Sequence, residues 1–315
     1  MLLFDPTEPF ALLDAVSTSF VHRFLHAKVE KNDRFAGFFL DDEDAPKPFV
    51  IDEAGSTIAE DAAASPSPGR KLIAVVPLWG TLSPDGRYYG TSTKEFAKQV
   101  ASFVNNDQIG AIVLKIDSPG GTVTGTMEAA DSIRALRGTK TIVASVDSMM
   151  ASAAAWIGTT AKEVAITPSG EAGSIGVINM YFDQSKLYED YGIKVDVLRT
   201  PALKARFTGV EPLTEGMRAT LTQRLDQAYD QFKRAMSENR GIAISAVESK
   251  FGGGEMLSAK EALASGLVDR IATFDEVLRG LFAKMERSSK SQSLSRSKQK
   301  AAEQSVDMII ESATV

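Results

Sequence analysis

An α/β fold built on a largely parallel sheet is what this sequence predicts. Short apolar runs rich in Val, Ile and Leu alternate with amphipathic stretches at spacings that suit strand–helix–strand crossovers. A 43% apolar and 24% charged composition over 315 residues supplies a sizeable core for one large or two small domains. The chain contains no cysteine, which excludes disulfides, thiolate metal sites and a cysteine nucleophile.

Taken in order, residues 1–40 form a partly helical N-terminal extension, with an apolar stripe from Phe10 to Phe24. Residues 41–70 change character, holding eight acids against two bases and closing on Ala62-Ala-Ala-Ser-Pro-Ser-Pro-Gly69, as a solvated linker does. The folded domain spans 71–283. Leu72 to Leu78 reads as a buried strand, Thr93 to Val104 as an amphipathic helix, and Ala111 to Ile116 as a second strand. Thr126 to Leu136 is a helix, Thr141 to Ser145 a strand, Ala151 to Ile157 a small-residue helix, and Val164 to Thr167 a short strand. Ile175 to Tyr181 and Val195 to Leu198 read as strands around a helix from Gln184 to Tyr191. A long polar-faced helix from Thr214 to Asn239 and helices at Ser258–Ser265 and Phe274–Met285 complete the domain. Residues 284–315 form a basic tail. Lys284 to Lys300 carries six bases, one acid and six serines, a composition typical of disorder, and 301–315 suit a short helix.

Several function classes lose support here. A net charge of -6 argues against a nucleic-acid binder held by phosphate contacts. No run reaches the roughly 18 apolar residues of a membrane span. Met1-Leu-Leu-Phe-Asp-Pro6 lacks the basic and apolar regions of a secretory signal, so the expected compartment is the cytoplasm. Phe251-Gly-Gly-Gly-Glu255 lacks the Lys-Ser/Thr of a phosphate loop, and no Gly-x-Gly-x-x-Gly occurs. The only histidines, His22 and His26, would share a helix face, but no carboxylate completes a metal site there and their apolar neighbours indicate packing.

Three features carry chemistry. After Ile116 comes Asp117-Ser118-Pro119-Gly120-Gly121, which reads as a strand that stops and turns its backbone outward. Unshielded glycine N–H groups can serve an oxyanion, though Pro-Gly-Gly alone is also an ordinary turn. Ser152 stands at the start of an alanine-rich helix. There it is either a nucleophile, with the Ala153 and Gly121 amides as oxyanion donors and Gly120 making room, or simply a helix N-cap. Histidine being scarce, a base would be a lysine or a carboxylate. Lys204 lies in a loop after a predicted strand, a surface position unless burial beside apolar groups favours its neutral form.

Asp117-Ser-Pro-Gly-Gly121, Ala151-Ser-Ala-Ala-Ala-Trp156, Thr167-Pro-Ser-Gly-Glu-Ala-Gly-Ser-Ile-Gly-Val177, Leu203-Lys-Ala-Arg-Phe-Thr-Gly-Val-Glu-Pro-Leu213 and Glu255-Met-Leu-Ser-Ala-Lys-Glu-Ala-Leu-Ala-Ser-Gly-Leu-Val-Asp269 follow one another in an order that resembles the signal peptide peptidase A family of serine proteases. The resemblance covers about 71–280. It implies a ClpP/crotonase-like superhelix of β-β-α units, with a mostly parallel sheet and flanking helices. It also implies Ser152 as nucleophile, Lys204 as general base 52 residues later (204 − 152), and Ser174 as the group that orients the lysine. Neither metal nor cofactor is called for. A peptide or protein substrate and a ring-like homo-oligomer follow from the same resemblance, with Trp79 or Ser118–Thr124 lining the substrate pocket.

Alanines follow Ser152 where bacterial members carry Gly-Gly-Tyr, which is closer to the phage head maturation proteases. Those act inside the prohead on scaffold, portal or self sequences. Pro201-Ala-Leu-Lys204 replaces a glycine-rich pattern and leaves the loop's shape open. Cytoplasmic peptide degradation, a crotonase-type acyl-CoA enzyme and a non-catalytic assembly protein stand as alternatives.

Overall fold

The computed structural model describes residues 10–11, 45–58, 72–86, 90–288, 290–291 and 297. Its centre is one sheet of ten strands. These are β1 (Phe10–Ala11), β2 (Phe49–Asp52), β3 (Thr57–Ile58), β4 (Leu72–Leu82), β5 (Ile109–Thr122), β6 (Thr141–Ala151), β7 (Glu163–Ile166), β8 (Glu171–Gly173), β9 (Met256–Ser258) and β10 (Arg270–Ile271). The main order is β10-β7-β6-β5-β4-β2-β3. The run from β10 to β4 is parallel throughout, while β2 and β3 close one edge antiparallel.

The helices fill the crossovers: α1 (Thr93–Val104), α2 (Thr126–Leu136), α3 (Ala153–Gly158), α4 (Ser185–Asp190), α5 (Glu215–Arg240), α6 (Ala259–Ser265) and α7 (274–288). Among the described residues no helix is long and apolar enough to cross a membrane.

Strand alternation explains why both faces are covered. Ala74, Val76, Ile112, Leu114, Ile142 and Ala144 point into one core, shared with Phe96, Val100, Ile133, Trp156 and Phe232 of the helices. Their neighbours Ile73, Val75, Ala111, Val113 and Val143 point the other way, against Val277, Leu278 and Leu281 of α7. A period of two with both sets apolar reads as a continuous hydrophobic run, as in sheets buried on both sides. Helix ends follow their sequence signals. Ser92 Oγ accepts from Glu95 N at the start of α1 (3.2 Å), Ser258 and Glu261 form a capping box for α6, and Gly241 ends α5 in the left-handed conformation.

The C-terminal end of α1 depends on a distant lysine. Lys140 Nζ donates to the carbonyls of Phe103 (3.2 Å) and Asn106 (2.6 Å), meeting the negative end of the helix with a cation. Lys140→Met is expected to cost about 1–3 kcal/mol, because two carbonyls lose a charged donor. Urea denaturation of the two proteins would read this, and an unchanged midpoint would count against it.

Four expectations change. The acidic stretch 41–70 is not linker throughout, since Phe49-Val-Ile-Asp52 and Thr57-Ile58 form an antiparallel hairpin on the sheet edge, with Val50 fully buried. The strand from Ala111 does not stop at Ile116 but runs to Thr122 through the Pro-Gly-Gly, held against Trp79–Leu82 of β4 across a register shift. Ile175–Tyr181 and Val195–Leu198 are not strands: Ile178 makes a single isolated bridge, neither segment joins a ladder among the described residues, and Leu198 is 96% exposed. The helix from Phe274 continues through 288, beyond the expected start of the tail at 284. The helical reading of 1–40 with His22 and His26 lies outside the described residues, apart from β1. The short helix at 301–315 also lies outside them.

Candidate active site

β6 delivers the serine. The strand ends at Ala151 and α3 begins at Ala153, so Ser152 alone makes the turn, with φ 53° and ψ −121°. A non-glycine residue there costs about 1–3 kcal/mol and persists only when its surroundings impose it. They do so through the backbone: Ser152 N donates to Gly173 O of β8 (2.9 Å), and Ser152 O accepts from Trp156 N (3.0 Å). Below, Trp156 stacks on Phe232 of α5 with ring centroids 4.7 Å apart, anchoring the short helix.

The Oγ of Ser152 does not cap the helix. It makes no capping hydrogen bond and, although the residue is 1% exposed, it has no protein partner. A buried hydroxyl without a partner costs about 1–3 kcal/mol, which a capping role would have avoided.

The Pro-Gly-Gly segment lies against this serine. Gly120 has φ +96°, and a Cβ on it would lie 2.8 Å from Ser152 Cβ and 3.0 Å from Ala153 N. Its absent side chain is what lets the two segments meet. Ser118, fully buried, fixes the approach: its Oγ donates to Gly80 O (2.6 Å) and accepts from Gly120 N (3.1 Å). Sequence reading gave Ser118 no such role, and a polar residue closing an apolar strand was the available signal. Asp117 accepts a short hydrogen bond from Ser148 Oγ, tying β5 to β6 one step before the turn. Of the expected pocket residues, Trp79 is half-buried, its amide donating to Thr91 Oγ1 (3.0 Å).

Ser174 follows β8 directly. It too has a positive φ, 50°, and its amide donates to Glu255 O (2.8 Å). Because Ala151 of β6 pairs with Gly173, Ser174 is brought beside Ser152 by the sheet. Ser152, Ala153 and Gly120 therefore meet, with Gly121 the next residue of β5 and Ser174 the next after Gly173.

Lys204 does not join them. It is exposed, and Ser152 Oγ has no partner. The segment that carries it is nonetheless anchored. Phe207 is buried with Met217 and Leu221 of α5, Arg206 donates to Thr220 Oγ1 (2.6 Å), and Arg199 pairs with Glu211. Tyr181 donates its hydroxyl to Glu211 O (2.5 Å). Burial, with Asp183 and Glu211 nearby, pushes its pKa up and keeps the phenol a donor. The surrounding segment leaves Phe182, Leu187, Tyr191, Ile193, Leu198 and Leu203 largely exposed.

A parallel sheet whose strand-to-helix turn strains a buried serine against a glycine pair defines a ClpP/crotonase-type α/β protein. The profile of the Clp protease family matches residues 86–170, and that of peptidase family S49 matches residues 134–287. By these matches the chain is similar to family S49, the signal peptide peptidase A-like serine proteases.

Among its relatives, capsid assembly protease C of Escherichia phage lambda is 26% identical over 211 residues, 65% of this chain and 48% of that protein. Protease 4 of Haemophilus influenzae is 25% identical over 212 residues, 65% of this chain and 34% of its own length. The chloroplastic serine protease SPPA of Arabidopsis thaliana is 24% identical over 210 residues, covering 64% and 31%. The chain thus spans less than half the length of each of these three.

Proposed function

We propose that this chain is an endopeptidase that cleaves protein substrates through a Ser152–Lys204 pair. The observation that carries the reading is the buried, partnerless Oγ of Ser152 at a strained strand-to-helix turn. Neutral Lys204 takes the Ser152 proton as Oγ attacks the peptide carbonyl. The amides of Gly121 and Ala153 hold the oxyanion, and protonated Lys204 then serves the leaving amine. Gly120 N is already engaged by Ser118 Oγ, which favours Gly121 as the donor from that strand. Ser174, beside Ser152, orients the lysine.

Lys204 reaches the serine of a neighbouring copy in this reading. It is exposed on its own chain, in a segment bearing exposed apolar side chains that a second subunit would cover. A ring of copies would then complete each site at a subunit contact. Similarity to the lambda capsid protease, together with the alanines after Ser152, supports a role in phage head maturation on scaffold, portal or self sequences.

Complementation tests the pair. Ser152→Ala and Lys204→Ala chains are each expected to be inactive on casein. Dissociated and reassembled together at equal ratio, they are expected to recover about a quarter of wild-type turnover, the chance that an intact serine meets an intact neighbouring lysine. No recovery would place serine and lysine on the same chain, and full activity of Lys204→Ala would remove the lysine from the mechanism.

A further inference from the structure

The edge of β5 beside the serine is already occupied by the chain itself. On one side, Gly120 and Gly121 pair with Thr81 and Leu82 of β4. On the other, the ladder with β6 ends at Ser118 opposite Met150, where β6 turns away to β8. The stretch beyond is the part of β5 that β6 leaves open. There β1 adds as an antiparallel strand, with Phe10 opposite Thr122 and Ala11 opposite Gly121.

Adding an extended segment to an open sheet edge is how a protease holds a substrate backbone, whatever its side chains. The direction of β1 is the informative part. Running from Phe10 to Ala11, the segment moves down β5 from Thr122 to Gly121, toward Gly120, which touches Ser152. Strands in a ladder are about 4.8 Å apart, so the backbone of Ala11 lies one strand spacing from Gly121. Ala11 stands directly opposite Gly121 in this register, so its backbone lies beside the residue proposed above as an oxyanion donor.

Resting on the Ser–Lys reading, we propose that residues 10–11 occupy the substrate strand and that the chain cleaves its own Ala11–Leu12 bond. Ser152 Oγ attacks the Ala11 carbonyl carbon. The Ala11–Leu12 C–N bond breaks and the serine proton passes by way of Lys204 to the Leu12 amine. Residues 1–11 remain as an ester on Ser152. Water hydrolyses that ester, releasing the peptide with a carboxylate at Ala11 and restoring the hydroxyl. The site's chemical preference at this edge is an extended N-terminal peptide, and the product is a chain that begins at Leu12 with an open β5 edge for other substrates.

Intact mass and N-terminal sequencing of the purified full chain test this, with casein turnover measured on the same samples. Wild type is expected to lose residues 1–11 and begin at Leu12, whereas Ser152→Ala retains the Ala11–Leu12 bond. Ala11→Pro, which removes the residue's amide donor and restricts its backbone, is expected to retain that bond as well. Wild type that turns over casein yet keeps residues 1–11, or is cut at a different bond, overturns the proposal while the protease reading stands. A chain that cleaves neither itself nor casein fails both. Loss of residues 1–11 from Ser152→Ala would show another protease at work and also overturn it.

Discussion

Ser152→Ala is expected to abolish casein hydrolysis, by about 10⁴-fold or more, and to leave the protein at least as stable as wild type. Both halves follow from the same hydroxyl. As the proposed attacking atom it has no substitute, so its removal leaves only what binding and oxyanion contacts can do. As a structural group it contributes nothing visible: Oγ is buried and makes no hydrogen bond, so alanine strands no partner and relieves a desolvated polar atom. Alanine meets the same strained φ of 53° as serine, so the backbone cost is unchanged. A stability gain of about 1 kcal/mol is therefore expected in urea, the usual sign of a site kept for activity at the expense of stability. Retained turnover would remove Ser152 from the chemistry. A loss of stability would mean that the hydroxyl holds the turn after all.

The parts of this arrangement visible in sequence are those with local causes. Ile112, Leu114, Ile142 and Val143 announce strands because β-branched and apolar residues fit a pleated, buried surface. The continuations Asp117–Thr122 and Val146–Ala151 do not announce themselves. Most of their residues are small, polar, proline or methionine, and they stay extended because β4 and β8 supply partners and Ser118 Oγ bridges to Gly80. Val195-Asp-Val-Leu198 shows the reverse case, a strand-like alternation that joins no ladder among the described residues. The hairpin at 49–58 was hidden by the acids around it, although Phe49-Val-Ile51 carries its own apolar signal. For the site, the order of motifs pointed to Ser152, Ser174 and the glycines, and the sheet brings these together. What residue types alone could not tell is whether Ser152 caps its helix, since that depends on where Oγ ends up after β6, β8 and Gly120 have converged. Nor could they show that Lys204 faces outward on its own chain, because that follows from how Phe207, Arg206 and Glu211 pin the surrounding loop.

Gly120→Ala is the second large effect, and it separates the two glycines of the proposed oxyanion segment. The added methyl would stand 2.8 Å from Ser152 Cβ, 2.9 Å from Ala151 O and 3.0 Å from Ala153 N, on a residue whose φ is +96°. Two of those three contacts are backbone atoms of the serine turn, which cannot rotate aside. Either β5 or the turn must shift. The left-handed φ alone costs about 1–3 kcal/mol. A displacement of about 1 Å at the reacting atoms is worth about 100-fold in rate. Gly120→Ala is thus expected to lower kcat about 100-fold with a fold that still melts cooperatively. Gly121→Ala is a different experiment, because its methyl would fall 1.9 Å from Leu82 O and force β4 from β5, so it tests the sheet rather than the site. Gly138→Ala, with nothing within 4 Å of its added carbon, is the neutral control. Wild-type kcat and Tm in Gly120→Ala would mean that the glycine pair does not stand against the nucleophile, and the oxyanion assignment of Gly121 beside it would fall as well.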